Sequence, residues 1–420
     1  MRKNIKKGIV GLAGCLAVGY AGVATACKVA NENTNQITIT IWSAEADSEF
    51  MKWAQEEFKR ENPSKKYNFV IDYQGENDIA TRILKDVENA ADVFSFSNDQ
   101  LTKLVNGDAL SRLGGEILEE VLDDIDGKAM DAATVKKDGK DQVFGIPYTD
   151  NTFFLYYDKS VLTEEDVRSL DGILAKCTPQ KQFAMPFNDG WYTTSFYLGK
   201  GLGYNVTYDN DFAETKIECD FDNEIGEKVT AAMWQLAQDK RVKADANDSK
   251  IIAGFNDKSI IAATSGIWNR TTIEKYLGEN FAVAKLPTYT FDKGAENEEQ
   301  VQLVSFAGYK LLGVNNYSKQ KAEALKFAKF CAEEESQIKR FELRGYLPTD
   351  EDAREDKRVQ SDICAKAITA QLAHSKAQKD VPSTLWAPME GLGNAMITGA
   401  ASGNFDVKQQ IQACVSAIKK

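Results

Sequence analysis

Histidine is almost absent from this sequence. Its 420 residues include a single histidine, His374. A two-histidine zinc motif is therefore excluded, and a Ser-His-Asp or Cys-His mechanism would depend on that one side chain. No other metal or cofactor motif is present, so we predict that the protein holds neither and has no catalytic residue.

Basic residues are also fewer than acidic residues. Lys and Arg total 51 against 63 for Asp and Glu, and the formal net charge is −12. Proteins bind nucleic acid by neutralising phosphates with Lys and Arg, so this balance argues against a nucleic-acid partner. The composition, 43% hydrophobic and 27% charged, is that of an ordinary globular protein. The length allows roughly two to three domains.

Cysteine is sparse and irregularly spaced. A disulfide is permitted outside the cytoplasm, but no spacing points to a particular pair, and there is no CxxC metal pattern. We interpret the five cysteines beyond the N-terminal region as buried free thiols. They are Cys177, Cys219, Cys331, Cys364 and Cys414.

The first 26 residues have the pattern of an export signal. Basic residues at positions 2, 3, 6 and 7 precede an uncharged run, Gly8–Ala26, as in secretory signals. Small residues then lead into Cys27, an order that resembles a bacterial lipoprotein signal. We predict a signal peptide over 1–26, lipidation of Cys27 and a tether over 27–36. Cys15 is the alternative lipidation site, and an uncleaved anchor helix is the other alternative, since the run is about long enough to span a bilayer.

Strands and helices alternate at the start of the mature chain. The residues of Ile37–Trp42 alternate strictly and predict a strand, Phe50–Arg60 predicts a helix and Tyr67–Tyr73 a second strand. A helix near Asp78–Val87 and a short strand at Asp92–Phe96 continue the pattern. This order indicates a parallel sheet flanked by helices. Its ligand crevice would lie outside the carboxyl ends of the strands.

Similar signals continue in the rest of the chain. Thr152–Tyr157, Phe183–Phe187 and Val301–Val314 each predict a strand, and Lys319–Glu335 predicts one amphipathic helix. Gly345 interrupts the pattern, and helices are predicted to fill most of the remaining sequence.

Several short motifs occur in order along the mature chain. They are Ile41-Trp42-Ser43, Glu61-Asn62-Pro63, Ala91-Asp92-Val93-Phe94, Gly145-Ile146-Pro147-Tyr148, Tyr157-Asp158-Lys159, Ser265-Gly266-Ile267-Trp268, Leu286-Pro287-Thr288 and Gly345-Tyr346-Leu347-Pro348. Together they resemble the extracellular solute-binding proteins of ABC sugar importers, of the maltose/maltodextrin-binding kind. The resemblance implies a two-lobe α/β fold in which each lobe is a mostly parallel sheet flanked by helices, with a hinge between them.

The resemblance also implies an organisation and a function. The first lobe would comprise 37–150 and 305–357, and the second 151–304 and 358–420. The protein would be a monomeric, lipid-anchored receptor on the outer face of the cell membrane. It would capture an oligosaccharide, maltooligosaccharides above all, close around it and deliver it to the permease of an ABC importer.

The family's ligand pocket can be carried over onto this sequence position by position. Flat aromatic rings suit the C–H faces of a pyranose, and carboxylates and amides accept hydrogen bonds from its hydroxyls. The aromatic candidates are Phe96, Trp191, Tyr192, Trp268 and Trp386. The polar candidates are Glu45, Asp47, Asp99, Asn151 and Asp189.

Two other functions remain open from the residues alone. The same fold could take different cargo, namely another oligosaccharide, a glycerophosphodiester or a peptide. Abundant acids also leave open a secreted glycoside hydrolase with two catalytic carboxylates. The order of the lobes and the export tether argue against the hydrolase.

Overall fold

The computed structural model describes residues 36–75, 78–137, 139–209 and 214–420. The expected signal peptide, Cys15 and Cys27 lie outside these residues, as does the tether except for its last residue. Over the ranges just given, the helices are all too short or too polar to cross a membrane.

The strands form two main sheets and three hairpins. In chain order they are β1 (Gln36–Ala44), β2 (Lys66–Gln74), β3 (Val93–Ser97), β4 (Thr134–Lys137), β5 (Lys140–Val143), β6 (Ile146–Asn151), β7 (Phe153–Asp158), β8 (Gln182–Ala184), β9 (Tyr204–Tyr208), β10 (Glu214–Cys219), β11 (Val242–Lys243), β12 (Ile260–Gly266), β13 (Phe281–Ala284), β14 (Thr288–Phe291), β15 (Glu299–Gln302), β16 (Ser305–Val314) and β17 (Ser375–Ala377).

Helices cover the faces of both sheets. In chain order they are α1 (Ser48–Glu61), α2 (Ile79–Lys85), α3 (Leu101–Asn106), α4 (Gly115–Asp124), α5 (Gly127–Ala132), α6 (Leu170–Lys176), α7 (Gly190–Gly199), α8 (Glu224–Gln238), α9 (Asp248–Asp257), α10 (Arg270–Leu277), α11 (Lys321–Phe330), α12 (Glu334–Arg344), α13 (Glu351–Glu355), α14 (Lys357–Ser361), α15 (Ile363–Leu372), α16 (Trp386–Ser402) and α17 (Val407–Ile418).

The first sheet has the strand order β2-β1-β3-β16, with β6 and β17 also paired to β16. β1 runs parallel to β2 and β3, and β16 runs antiparallel to β3. Helix α1 covers this sheet because Phe50, Ala54 and Phe58 recur at helical spacing and are buried,. The Phe58 ring packs edge-on against Phe327 of α11, with centroids 5.4 Å apart.

The second sheet has the strand order β11-β8-β12-β7-β13. Successive side chains of a strand point to opposite faces, so Phe153 and Leu155 of β7 enter one core and Phe154 and Tyr156 enter another. Both faces of this strand are therefore covered. This explains why its sequence is an unbroken apolar run rather than an alternating one.

The two sheets form the two lobes of the expected α/β fold, which is confirmed. The core of the first lobe takes residues from 39–148 and 307–332. The main core of the second takes residues from 153–306 and 385–418. One segment differs from the expected division, because β17 lies within 358–420 but pairs with β16 of the first sheet. The start of β16 needs backbone partners, and the Ser305 N–H donates to the His374 carbonyl at 3.1 Å.

Two sequence predictions merge elements that the structure separates. The predicted strand Val301–Val314 is β15 followed by β16, with residues 303–304 carrying the chain between the lobes. The predicted helix Lys319–Glu335 ends at Phe330, and Glu333 takes an extended backbone conformation before α12 begins. A break of two or three residues leaves little trace in an apolar pattern, so periodicity could not locate either one.

Three fully buried polar side chains lie where the chain passes between the lobes. Thr152 is the residue between β6 and β7. Its hydroxyl lies 2.7 Å from the Ser305 hydroxyl and donates to the Phe306 carbonyl at 2.8 Å. The Gln371 amide donates to the Ser305 hydroxyl at 3.1 Å and to the Leu303 carbonyl at 3.3 Å. These bonds satisfy polar groups that would be costly to bury alone, and they tie the connecting segments to one another.

The five cysteines of the described chain are free and buried, as the sequence analysis predicted. Burial raises the pKa of each thiol, to about 11 for Cys177 and Cys219. Such thiols carry no charge near neutral pH and pack as small apolar side chains.

Candidate functional site

A cavity of about 770 Å³ lies between the lobes. It follows the carboxyl ends of strands in both sheets, where open α/β sheets bind ligands. The first lobe contributes Ala80, Phe96, Ser97, Asp99, Gln100, Asn151, Gly308, Tyr309 and Lys310. The second lobe and the connecting segments contribute Pro186, Asn188, Asp189, Trp191, Tyr192, Ala246, Asn247, Asp248, Trp268, Tyr346, Gln378 and Trp386.

Two tryptophan rings form one wall of this cavity. Trp191 is the second residue of α7 and Trp268 follows β12. Their ring centroids lie 5.9 Å apart with planes inclined at 43°. The Trp191 indole N–H donates to the side-chain oxygen of Gln378 at 2.9 Å, and that of Trp268 donates to the Asp248 carboxylate at 3.0 Å. With their polar edges satisfied, the rings offer flat apolar surface in fixed orientations.

Glycine allows the aromatic wall to pack this closely. A Cβ atom on Gly266, the last residue of β12, would lie 2.0 Å from a ring carbon of Trp268. A Cβ atom on Gly190 would lie 2.7 Å from the Cβ atom of Met389. Both separations are far inside van der Waals contact, so any larger residue would displace its neighbour.

Two further aromatic candidates belong partly to the core of the second lobe. Tyr192 is only 4% exposed, and its ring lies 4.7 Å from that of Phe153. Trp386 is half-buried and packs edge-on against Phe306 at 5.5 Å. Both line the cavity, and both also hold the wall in place.

Asp99 and Asn151 bring unsatisfied oxygen atoms to the cavity. In each side chain one buried oxygen, Oδ1, has no hydrogen-bond partner. The other oxygen of Asp99 accepts from the Gln100 amide at 2.9 Å, and burial raises the pKa of its carboxyl. A buried acceptor left unsatisfied costs about 1–3 kcal/mol. Because neither oxygen is accessible at the cavity surface, a ligand hydroxyl would relieve that cost only if the side chain turned toward it.

Asp189 lines the cavity and caps a helix. It is the N-cap residue of α7, and its carboxylate accepts a hydrogen bond from the Trp191 backbone N–H at 2.9 Å. Burial raises the pKa of this carboxyl, and the nearby acids Glu390 and Asp248 add to the effect. The side chain therefore helps to fix the start of the helix that presents Trp191.

Two candidates lie away from the cavity, and a third lines it without exposing its ring. Glu45 is exposed on the turn after β1, and neither it nor Asp47 lines the cavity. Asp47 is 3% exposed, and its carboxylate pairs with the buried guanidinium of Arg340 at 2.9 Å. An unpaired buried charge is strongly unfavourable, so this acid neutralises Arg340. Phe96 lines the cavity but is 1% exposed, so it closes the floor and offers almost no ring surface for stacking.

Sequence reasoning missed more than half of the residues that line the cavity, including three that bear on its aromatic rings. Asp248 and Gln378 orient the two tryptophans, and Tyr346 adds an aromatic ring 4.6 Å from the Arg340 guanidinium. Tyr346 stands next to Gly345 in a motif already noted, which is a signal that could have been used. Gln378 has no local signal, because it reaches Trp191 from 187 positions away.

The lining of the cavity combines aromatic rings with polar side chains. Across the described ranges, no group of three or more His, Cys, Asp or Glu side chains is arranged to hold a metal ion. The aromatic rings of Trp191 and Trp268 line the space together with carboxylate and amide side chains from both lobes. A ligand with apolar faces and a rim of hydroxyl groups would satisfy both.

Several known proteins are similar to this chain. A structure solved with acarbose is 31% identical, with a TM-score of 0.80, and the match covers 91% of this chain and 99% of that one. The structure of a maltodextrin binding protein from L. casei BL23, solved without ligand, is 25% identical with a TM-score of 0.76, over 92% of this chain and 100% of that one. The galactooligosaccharide-binding protein of Bacillus subtilis (strain 168) is 22% identical over 90% of this chain and 91% of its own length.

The family model of the bacterial extracellular solute-binding proteins matches residues 53–367. This match takes in strands of both sheets and most of the cavity between them. The chain therefore belongs to the family of bacterial extracellular solute-binding proteins.

Proposed function

We propose that this protein is an extracellular receptor that captures an oligosaccharide, specifically maltooligosaccharides, for an ABC importer. The cavity between the lobes carries the proposal. It is lined by two tryptophan rings, whose indole N–H groups already donate to Gln378 and Asp248, and by the polar side chains of Asp99 and Asn151. This pairing suits a sugar, since a pyranose has apolar C–H faces and a rim of hydroxyl donors.

Closure of the lobes is the proposed mode of capture. Residues of both lobes line the cavity, so a ligand can contact all of them at once only when the lobes lie close together. A ligand shifts a conformational equilibrium by its differential affinity for the two states. The connecting segments around Thr152, Ser305 and Gln371 provide a compact pivot, in which small backbone rotations would move one lobe against the other.

Anchoring and delivery complete the proposal. The sequence before the described residues supports a signal peptide and lipidation of Cys27. The lipid would keep the receptor at the outer face of the membrane, where we propose that it acts as a monomer. Mass spectrometry of the mature protein tests this point. We expect a diacylated N-terminal Cys27, and a Cys27→Ala variant should be released from the cell. Modification at Cys15 or an intact N-terminus would contradict the assignment.

The alternative cargo is a galactooligosaccharide. A relative named galactooligosaccharide-binding is as similar in sequence as those named for maltodextrin. Both ligands offer sugar faces and hydroxyls, so the wall chemistry alone does not separate them. The difference would lie in which ring faces and hydroxyl directions match the fixed orientations of Trp191 and Trp268.

A ligand panel tests the proposal directly. Thermal unfolding is measured with maltotriose to maltohexaose, with galactooligosaccharides, and with a glycerophosphodiester and a peptide as controls. A ligand at 100 times its dissociation constant stabilises the folded protein by about 2.7 kcal/mol, which is a clear rise in Tm. We expect the maltooligosaccharides to raise Tm. A rise with the galacto series alone would establish the alternative, and a rise with neither would refute both.

Hydrolysis is tested in the same samples. If the protein only binds, prolonged incubation with maltohexaose should release no reducing sugar. Release proportional to protein concentration, abolished by Asp99→Asn, would instead establish a hydrolase that uses a cavity carboxylate.

A further inference from the structure

Gln378 connects the first lobe to the aromatic wall of the cavity. It follows β17 directly, and its backbone is bound to the first lobe. Its N–H donates to the Ala307 carbonyl of β16 at 2.9 Å, and its carbonyl accepts from the Asn98 side-chain amide at 2.7 Å. Its side-chain oxygen accepts from the indole N–H of Trp191, in the second lobe, at 2.9 Å. The residue lines the cavity and is held from both sides.

The bond to Trp191 fixes which way the side-chain amide of Gln378 faces. The oxygen and the nitrogen of a glutamine amide are nearly the same size, so their partners decide which is which. An indole nitrogen can only donate. The atom that it bonds is therefore the oxygen, Oε1, and the amino group, Nε2, is directed away from the indole nitrogen.

The backbone of β16 packs close to the same amide. A Cβ atom on Gly308, another residue of the cavity lining, would lie 3.1 Å from Oε1 of Gln378. That separation is tighter than ordinary van der Waals contact, so a larger residue would press on the amide. Glycine at this position leaves the side chain in place.

Nε2 of Gln378 carries two hydrogens that the protein itself does not use. Among the residues that the structure describes, none accepts a hydrogen bond from Nε2. Nor is Nε2 one of the fully buried polar atoms that lack a partner. A buried donor needs a partner, whereas a donor that reaches open space in a cavity is available to a ligand.

This donor complements the acids of the cavity. Asp99, Asp189 and Asp248 line the same space, and an ionised carboxylate can only accept hydrogen bonds. Such groups suit the hydroxyls of a sugar, which can donate. A sugar also has ring and glycosidic oxygens, which carry no hydrogen and can only accept. A fixed N–H group beside Trp191 offers the partner that an accepting oxygen needs.

We propose that Gln378 is a specificity-determining residue of the ligand site, whose Nε2 donates to an acceptor oxygen of the sugar unit that stacks on Trp191. Its Oε1 holds the ring at the same time. This inference rests on the proposed function and deepens it. A site built to hydrogen-bond a ligand rejects an analogue that lacks the matching group. The site therefore favours a sugar unit that places an oxygen, rather than an apolar group, beside the edge of Trp191.

Two substitutions of Gln378 test the donor. Gln378→Glu keeps an acceptor for Trp191 but removes the donor hydrogens, and Gln378→Met, of similar length, removes both. In calorimetric titration with the tightest ligand of the panel, each should weaken binding by about tenfold or more. If Gln378→Glu binds as tightly as the unmodified protein, the donor is overturned and Gln378 only holds Trp191.

A double substitution separates contact with the ligand from positioning of the ring. Trp191→Phe keeps a ring for stacking but has no N–H, so Gln378 has no bond to that ring left to lose. In this background Gln378→Met should still weaken binding, by about fivefold or more. No further loss would overturn the proposal, because the whole effect of Gln378 would then pass through Trp191.

The matched control is Gln412→Met. Gln412 is an exposed glutamine of α17 that does not line the cavity, so its replacement should leave affinity unchanged. Urea unfolding should show that all the variants remain folded. Failure of every oligosaccharide to bind the unmodified protein would refute the proposed function itself, whereas binding that is unaffected at Gln378 would overturn this inference alone.

Discussion

Replacement of Trp268 by alanine separates ligand binding from folding. The Trp268 ring is half-buried, and it belongs to none of the three apolar cores. Its contacts are the Trp191 ring, the backbone at Gly266 and one hydrogen bond to Asp248. The ring therefore contributes its surface mainly to the cavity.

The size of the effect follows from this placement. Covering one face of an indole ring with a sugar removes roughly 100 Å² from water, which at about 25 cal/mol per Å² is worth about 2.5 kcal/mol. Since each 1.4 kcal/mol is about tenfold in affinity, Trp268→Ala should weaken binding by about 60-fold. The folded protein loses one solvent-accessible hydrogen bond, so the free energy of unfolding should fall by no more than about 1 kcal/mol.

Calorimetric titration with the tightest ligand and urea unfolding measure the two quantities. The matched control is Trp234→Ala, in α8 of the same lobe. The Trp234 ring stacks on Phe405 with centroids 4.7 Å apart and does not line the cavity. Its removal should lower the free energy of unfolding by about 3 kcal/mol and leave affinity unchanged. Unchanged affinity in Trp268→Ala, or parallel loss of affinity and stability, would refute the reasoning.

Three further predictions follow from the geometry. Gly266→Ala should weaken binding by about tenfold or more, measured by titration, because the new methyl group displaces the Trp268 ring,. Asp47→Ala should lower the free energy of unfolding by about 3–5 kcal/mol in urea, because Arg340, with 2% of its side chain exposed, would keep a buried charge without its partner,; unchanged stability would contradict this role. Affinity should fall as pH is lowered, and the fall should begin at a higher pH than an exposed aspartate would give, because burial raises the pKa of the Asp99 carboxyl and a protonated carboxyl accepts hydroxyl donors less well,. Asp99→Asn should bind more weakly at pH 7 and lose this pH dependence.

Local sequence patterns were sufficient for the order of elements in the first lobe. The alternation in Ile37–Trp42 and the helical spacing in Phe50–Arg60 predicted β1 and α1 to within a few residues. The same was true of β2 and β3. Such periodicities follow from which neighbours in the chain share a face, so they can be read without knowing the fold. The predicted strand Val301–Val314 shows where such patterns fail. The chain crosses between the lobes within it, and a crossing of two residues leaves no periodic signal in the sequence.

Motifs also identified eight of the 21 residues that line the cavity. Trp268, Asp99 and Trp191 were identified from short stretches that resemble the family, and all three line the cavity. Asp47 was placed wrongly because its position after β1 matched a ligand contact. Its partner Arg340 lies 293 residues further along the chain, so no local pattern could show that this carboxylate was already taken.

The sequence by itself determined the α/β class of the first lobe, the exclusion of a two-histidine zinc motif and the supply of aromatic and acidic side chains at strand ends. Each of these depends on composition or on residues close together in the chain, whereas the two-lobe organisation was inferred from the resemblance to a family. Only the tertiary structure decided which side chains share the cleft and that Gln378 and Asp248 orient the tryptophans. These depend on where the chain crosses between lobes and on contacts between residues far apart in sequence, which are set when both sheets bury their faces together.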